Sequence, residues 1–134
     1  MFSSNSLDPW AKFRPLVESF NENRAATLHR DGDSTADESM CAYQPRKDKF
    51  GGLPNISFIK RKPKPLGTEF KTLCDTVTGV MVHMEIQEGK EAMRVKTHAR
   101  ELGVTCACTL RLAETCKQGT TVMGDSWFGS VKVR

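Results

Sequence analysis

"EFKTLCDTVTGVMVHMEI", Glu69 to Ile86, is the stretch whose reading decides the class of fold. Two apolar-rich runs flank "DTVTG", a turn in which Asp75 suits a turn-forming role. In the second run Val80, Val82, Met84 and Ile86 alternate with Met81, His83 and Glu85. A period of two marks a strand with one buried face. The stretch therefore predicts an antiparallel hairpin, with one strand over 69–74 and a second over 80–86. His83 falls on the more polar face, where a surface or hydrogen-bonded histidine is the ordinary reading rather than a ligand.

Downstream, "QEGKEAMRVKTHARELG" is charged and reads as partly helical. Val104, Cys108 and Leu112 then recur every four residues, with Ala107 and Leu110 alongside. That predicts a helix over 104–117, ended by Gly119. "TTVMGD" follows as a short strand running into Asp125, with Trp127 and Phe128 directly behind. These two aromatics read as packing residues that anchor the turn after the strand, in preference to contacts with a ligand. On the residues alone, Asp125 stays open between a turn acid and a metal ligand.

Upstream, residues 6–28 read as helical. Asp8 can cap and Pro9 suits a first turn. Trp10, Phe13, Val17 and Phe20 fall on one helical face and read as a packing stripe. Pro15 inside this pattern predicts a break or kink near Arg14. A polar stretch then leads to Asp37 and Glu38. On a strand, neighbours point to opposite faces, so these two acids cannot both serve one site. Residues 43–68 predict a long loop punctuated by Pro45, Gly51, Gly52, Pro54 and Pro63, in which only "NISFI" can form a strand. Loops this long in compact domains are usually functional or disordered.

Charge is concentrated in that loop. The chain carries +4 overall, but Arg46 to Lys71 holds eight basic residues against Asp48 and Glu69, a local +6. The strip suits an anionic partner such as nucleic acid, or else is a solvated lysine-rich loop. "KRKPKP" has the form of a nuclear localisation signal. The 134 residues suffice for one modest domain. Five cysteines occur with no Cys-x-x-Cys, and Cys106 and Cys108 sit two apart on a helical stretch. That spacing argues against a zinc site and for reduced thiols. "MFSSNSLDPW" lacks the apolar core of a signal peptide, and no run is long enough to cross a bilayer. A soluble, intracellular protein is expected.

Three motifs occur together and in order: "ADESM", the basic "KRKPKPLGTEFKTLCD" and "VMGDSWFGS", with "RPLVESFN" upstream. In order and separation they resemble the piggyBac-type DDE transposases, over roughly residues 10 to 131. The resemblance implies an α/β, ribonuclease H-like core: three antiparallel strands, a helix, then a fourth strand parallel to the first. A helical segment over 1–30 would precede a catalytic portion over 31–134. The element order read from the residues agrees with this between Asp37 and Asp125.

The resemblance places the family's first two catalytic aspartates at Asp37 and Asp125, as ligands of Mg²⁺ or Mn²⁺. Such ions activate the attacking oxygen and stabilise the leaving one in DNA cleavage and strand transfer. Glu38 would point away. DNA would lie on Arg46, Lys47, Lys60, Arg61, Lys62 and Lys64, and the protein would be nuclear. The family also needs a third aspartate well downstream, whereas this sequence stops nine residues after Asp125. From sequence we therefore expect an incomplete enzyme, inactive in transposition alone. Its fourth strand would be an exposed edge prone to association with itself or with full-length transposase. The competing expectation is a DNA-binding or transposase-interacting remnant that needs neither aspartate.

Overall fold

A computed structural model describes residues 8–28, 32–47 and 52–129. The expected helix start at Ser6–Leu7, the pair Asp48–Lys49, Gly51 and the final stretch after Gly129 lie outside the described residues. The first helix, α1, spans Arg14–Thr27. The break expected near Arg14 is where the helix begins: residues 9–13 form turns, and Pro15 stands in the first turn of α1. There its missing N–H costs nothing and its fixed φ is already helical. Before the helix, Asp8 Oδ1 accepts from the Trp10 N–H at 2.9 Å, and Trp10 is buried.

The strands are β1 (Ser34–Cys41), β2 (Ser57–Phe58), β3 (Leu66–Asp75), β4 (Met81–Ile86) and β5 (Val122–Gly124). β3 is the long central strand. β1 pairs with one side of it, antiparallel, from Ser34↔Asp75 to Cys41↔Thr68. On its other side lies β4, antiparallel, completing the hairpin, and at its start the short β2. The hairpin is longer than the sequence predicts: β3 begins at Leu66, so the basic loop ends earlier than residue 68 and carries β2 within it. The β3–β4 register shifts between Leu73 and Cys74, a bulge that strict alternation does not reveal.

β5 runs parallel to β1, from Ser34↔Val122 to Ala36↔Gly124. A parallel neighbour needs a crossover, and three helices provide it: α2 (Lys90–Val95), α3 (Ala99–Leu102) and α4 (Val104–Ala113). The last stops at Ala113, earlier than predicted, and a turn carries the chain to Gly119, whose φ is +88°. Cys108 and Leu112 of α4 pack with Ala36, Leu73, Val82 and Phe128 in one apolar cluster. Fully burying the larger of these side chains, Leu73, Val82, Leu112 and Phe128, contributes roughly 1.5–3 kcal/mol each. Burial pushes the Cys108 thiol up to about 12.

The other face of the sheet carries α1. The Asn21 side chain donates to the Met84 carbonyl and accepts the Met84 N–H, both at 2.9 Å. A single amide thus satisfies two backbone groups on the open side of β4. Arg14 ties the start of α1 to Glu88, just past β4, at 2.8 Å. The result is a mixed α/β fold with a mostly antiparallel sheet. No helix of the described residues is long and apolar enough to cross a membrane.

Candidate metal and DNA site

Strand alternation separates Asp37 from Glu38 as the sequence predicts. Ser34, Ala36 and Glu38 are buried on the α4 side, and Asp37 is exposed on the other. The parallel register ends at Ala36↔Gly124. Asp37 continues β1, whereas Asp125 comes just after the end of β5. The backbones of the two acids thus follow the last paired residues of adjacent strands, while the Asp125 carboxylate faces Arg61, the partner of the buried Glu38. The Asp37 Oδ1 accepts the Glu38 N–H at 2.8 Å, and the Thr72 hydroxyl donates to the Asp37 carbonyl at 3.0 Å. Burial, and secondarily the Asp37 charge, push the Cys74 thiol above its ordinary range.

Asp125 opens a tight turn. Its Oδ1 accepts the Trp127 N–H at 2.9 Å, and its carbonyl accepts from Phe128 and Gly129 at 3.1 and 3.2 Å. Phe128 is anchored in the core, and the Thr109 hydroxyl of α4 donates to its carbonyl at 3.1 Å. Trp127 meets the Phe128 ring edge-on, with centroids 4.9 Å apart. Both aromatics thus pack inward. Gly124 is required by this packing, since a Cβ there would sit 2.9 Å from the Phe128 Cβ.

Glu38 has a role that the sequence reading missed. Its side chain is 3% exposed, and a carboxylate so deeply buried needs partners. They come from the basic segment. Arg61 Nη2 hydrogen-bonds Glu38 Oε1, and Lys62 Nζ donates to the Glu38 carbonyl at 2.9 Å and lies 3.6 Å from Oε1. The same Arg61 Nη2 stands 4.0 Å from Asp125 Oδ2, whose side chain is half exposed. The signal in the sequence was a carboxylate on the apolar side of β1. Which cations answer it depends on how the loop folds back.

The basic residues divide accordingly. Lys60–Lys64 form the tip of the β2–β3 connection, closed by the Ile59 N–H on the Pro65 carbonyl at 2.9 Å. Arg61 and Lys62 are held by Glu38. Lys60 and Lys64 are exposed and form no ion pair among the described residues. Arg46 and Lys47 are exposed on the separate segment that leaves β1.

No group of three His, Cys, Asp or Glu side chains stands ready for a metal among the described residues. Asp37 and Asp125 still fit a hard divalent cation in donor chemistry. Both are solvent-exposed carboxylates, Asp37 on β1 and Asp125 in the turn after β5, and Mg²⁺ is commonly bound by one or two carboxylates with water completing the shell.

Comparison with known proteins bears on the family and the fold. The family model described as Transposase IS4 matches residues 2–133. Among solved structures, the chain resembles the piggyBac transposase in its synaptic complex with hairpin DNA, solved by cryo-EM. The TM-score is 0.75 at 18% identity, over 94% of this chain and 24% of that one. At that identity the likeness concerns the fold, and the chain spans about a quarter of the piggyBac structure's length. No curated protein matches the chain.

Proposed function

Because the chain belongs to the Transposase IS4 family and has the fold of a piggyBac-like transposase, we propose that it carries part of a ribonuclease H-like DDE catalytic core. Residues 31–134 form that part and residues 1–30 a helical lead-in. Asp37 and Asp125 are its metal-binding carboxylates. The observation that supports this reading is the parallel pairing of β1 with β5 as far as Ala36↔Gly124, one residue before each acid. Transposases of this family use divalent metal, and Mg²⁺ or Mn²⁺ held here would promote phosphodiester cleavage and strand transfer. The chain's own contribution is placement. The sheet fixes the Asp37 backbone, and the Trp127 N–H fixes the Asp125 Oδ1, so little rotamer freedom remains to be lost.

DNA is the partner, as it is in the piggyBac complex. Lys60 and Lys64 at the exposed tip, with Arg46 and Lys47, offer charge to phosphates. The same basic segment would direct the protein to the nucleus. Calorimetric titration of the purified chain with Mn²⁺ tests the metal reading. Binding should be lost in Asp37→Asn and Asp125→Asn and kept in Glu38→Gln. Wild-type protein that takes up no Mn²⁺ would sink it.

A second reading is a DNA-binding module that works without metal. It rests on the Arg61 guanidinium already standing 4.0 Å from Asp125. Such a module would bind duplex DNA equally well after both aspartates are changed, and its affinity would fall steeply with salt.

A further inference from the structure

Arg61 is the cation of the basic tip whose guanidinium reaches two acids. One is Glu38, buried on the α4 side of β1; the other is Asp125, half exposed at the end of β5. The two anchors differ in strength. The Glu38 contact is a charge-assisted hydrogen bond in a desolvated place, backed by Lys62. At 4.0 Å the Asp125 contact is an ion pair without a hydrogen bond, open to water. Glu38 therefore parks Arg61 beside Asp125, and Asp125 can be released from it at small cost.

Building on Asp37 and Asp125 as metal ligands, we propose that Arg61 is a built-in counter-cation for Asp125, which a divalent ion must displace. In the metal-free chain the guanidinium offsets part of the Asp125 charge. A divalent cation at Asp125 repels it, and Arg61 moves off Asp125 towards Lys60 and Lys64 on the exposed tip, leaving the buried Glu38 to Lys62. Metal binding and phosphate binding are thereby linked: each favours the arrangement the other requires. Arg61 acts through Asp125 and is a positioning residue.

The test is Mn²⁺ titration of the full chain by calorimetry, with nuclear magnetic resonance of the arginine Nε–Hε signals during a parallel Mg²⁺ titration. Arg61→Met should bind Mn²⁺ about fivefold more tightly than wild type, the order expected for removing one partly screened charge. Arg100→Ala, an exposed cation elsewhere, should leave the affinity unchanged. The Arg61 Nε–Hε signal should move on Mg²⁺ addition in wild type and stay still in Asp125→Asn. Equal or weaker Mn²⁺ binding by Arg61→Met, with wild type binding normally, overturns the Arg61 assignment alone. Absence of binding in both proteins overturns the metal reading and this inference with it.

Discussion

The Lys71 ammonium lies 3.6 Å from the centre of the Trp127 ring. Lys71 is buried in the middle of β3 and pairs with Glu69 at 2.8 Å. The Trp127 ring closes over it, so the turn that positions Asp125 is held to β3 by a cation–π contact shielded from water. Such contacts are worth about 2 kcal/mol when desolvated. Trp127→Ala should therefore destabilise the protein by about 2–4 kcal/mol in urea unfolding, with the void adding to the lost contact. Trp127→Phe should recover part of the loss. A Trp127→Ala protein as stable as wild type would show that the turn is held by Phe128 alone.

Gly124→Ala should be costly although the residue is exposed. The added methyl would meet the Phe128 Cβ at 2.9 Å and its ring at 3.2 Å. Phe128 cannot retreat, because it is wedged into the core with its carbonyl bonded to Thr109. Overpacking of this kind costs about 1–3 kcal/mol. Thermal unfolding should show a lower midpoint, and Phe128→Leu in the same chain should soften the effect.

Asn21→Leu should uncap β4. The change strips the Met84 N–H and carbonyl of their partners, at a cost of about 1–3 kcal/mol. An edge strand freed in this way also invites pairing between chains. Unfolding midpoints should fall, and sedimentation should show concentration-dependent association greater than in wild type. Asn21→Asp, which keeps only the acceptor, should lie between the two.

Acid should weaken the attachment of α1. Hydrogen bonds from Arg14 hold Asp8 down to about 2, from an ordinary value of 3.8. Glu88 is likewise held below its ordinary 4.5, first by Arg14 and then by Lys96. Both folded values lie below the unfolded ones, so their stabilisation is complete above about pH 4.5 and drains away as pH falls towards 2. Arg14→Leu should be less stable than wild type at pH 7 and lose less between pH 5 and pH 2. Parallel stability–pH curves for the two proteins would contradict this account.

Much of the fold was legible because it rests on short-range rules. The alternation through Met81–Ile86 and the spacing of Val104, Cys108 and Leu112 reflect periods that the backbone imposes. The errors fell where a local rule has two outcomes. A proline breaks a helix from within or starts one from its first turn; α1 begins at Arg14, so residues 9–13 are turns and not the helix expected there. The bulge at Leu73/Cys74 leaves no mark in composition.

By itself the sequence determined that a carboxylate ends the last strand, that a second lies on an earlier strand with Glu38 facing the other way, and that cations cluster between them. Only the tertiary structure decided what those residues meet. Parallel pairing of β1 with β5 brings the backbones just before Asp37 and Asp125 together, although 88 positions separate the two acids in the chain. The return of the basic tip onto β1 gives Glu38 its cations and brings Arg61 to Asp125. Pleat and helical period act between near neighbours and can be read along the chain. Partnership of a buried charge is settled by which distant segment can reach it, and that depends on how the whole sheet assembles.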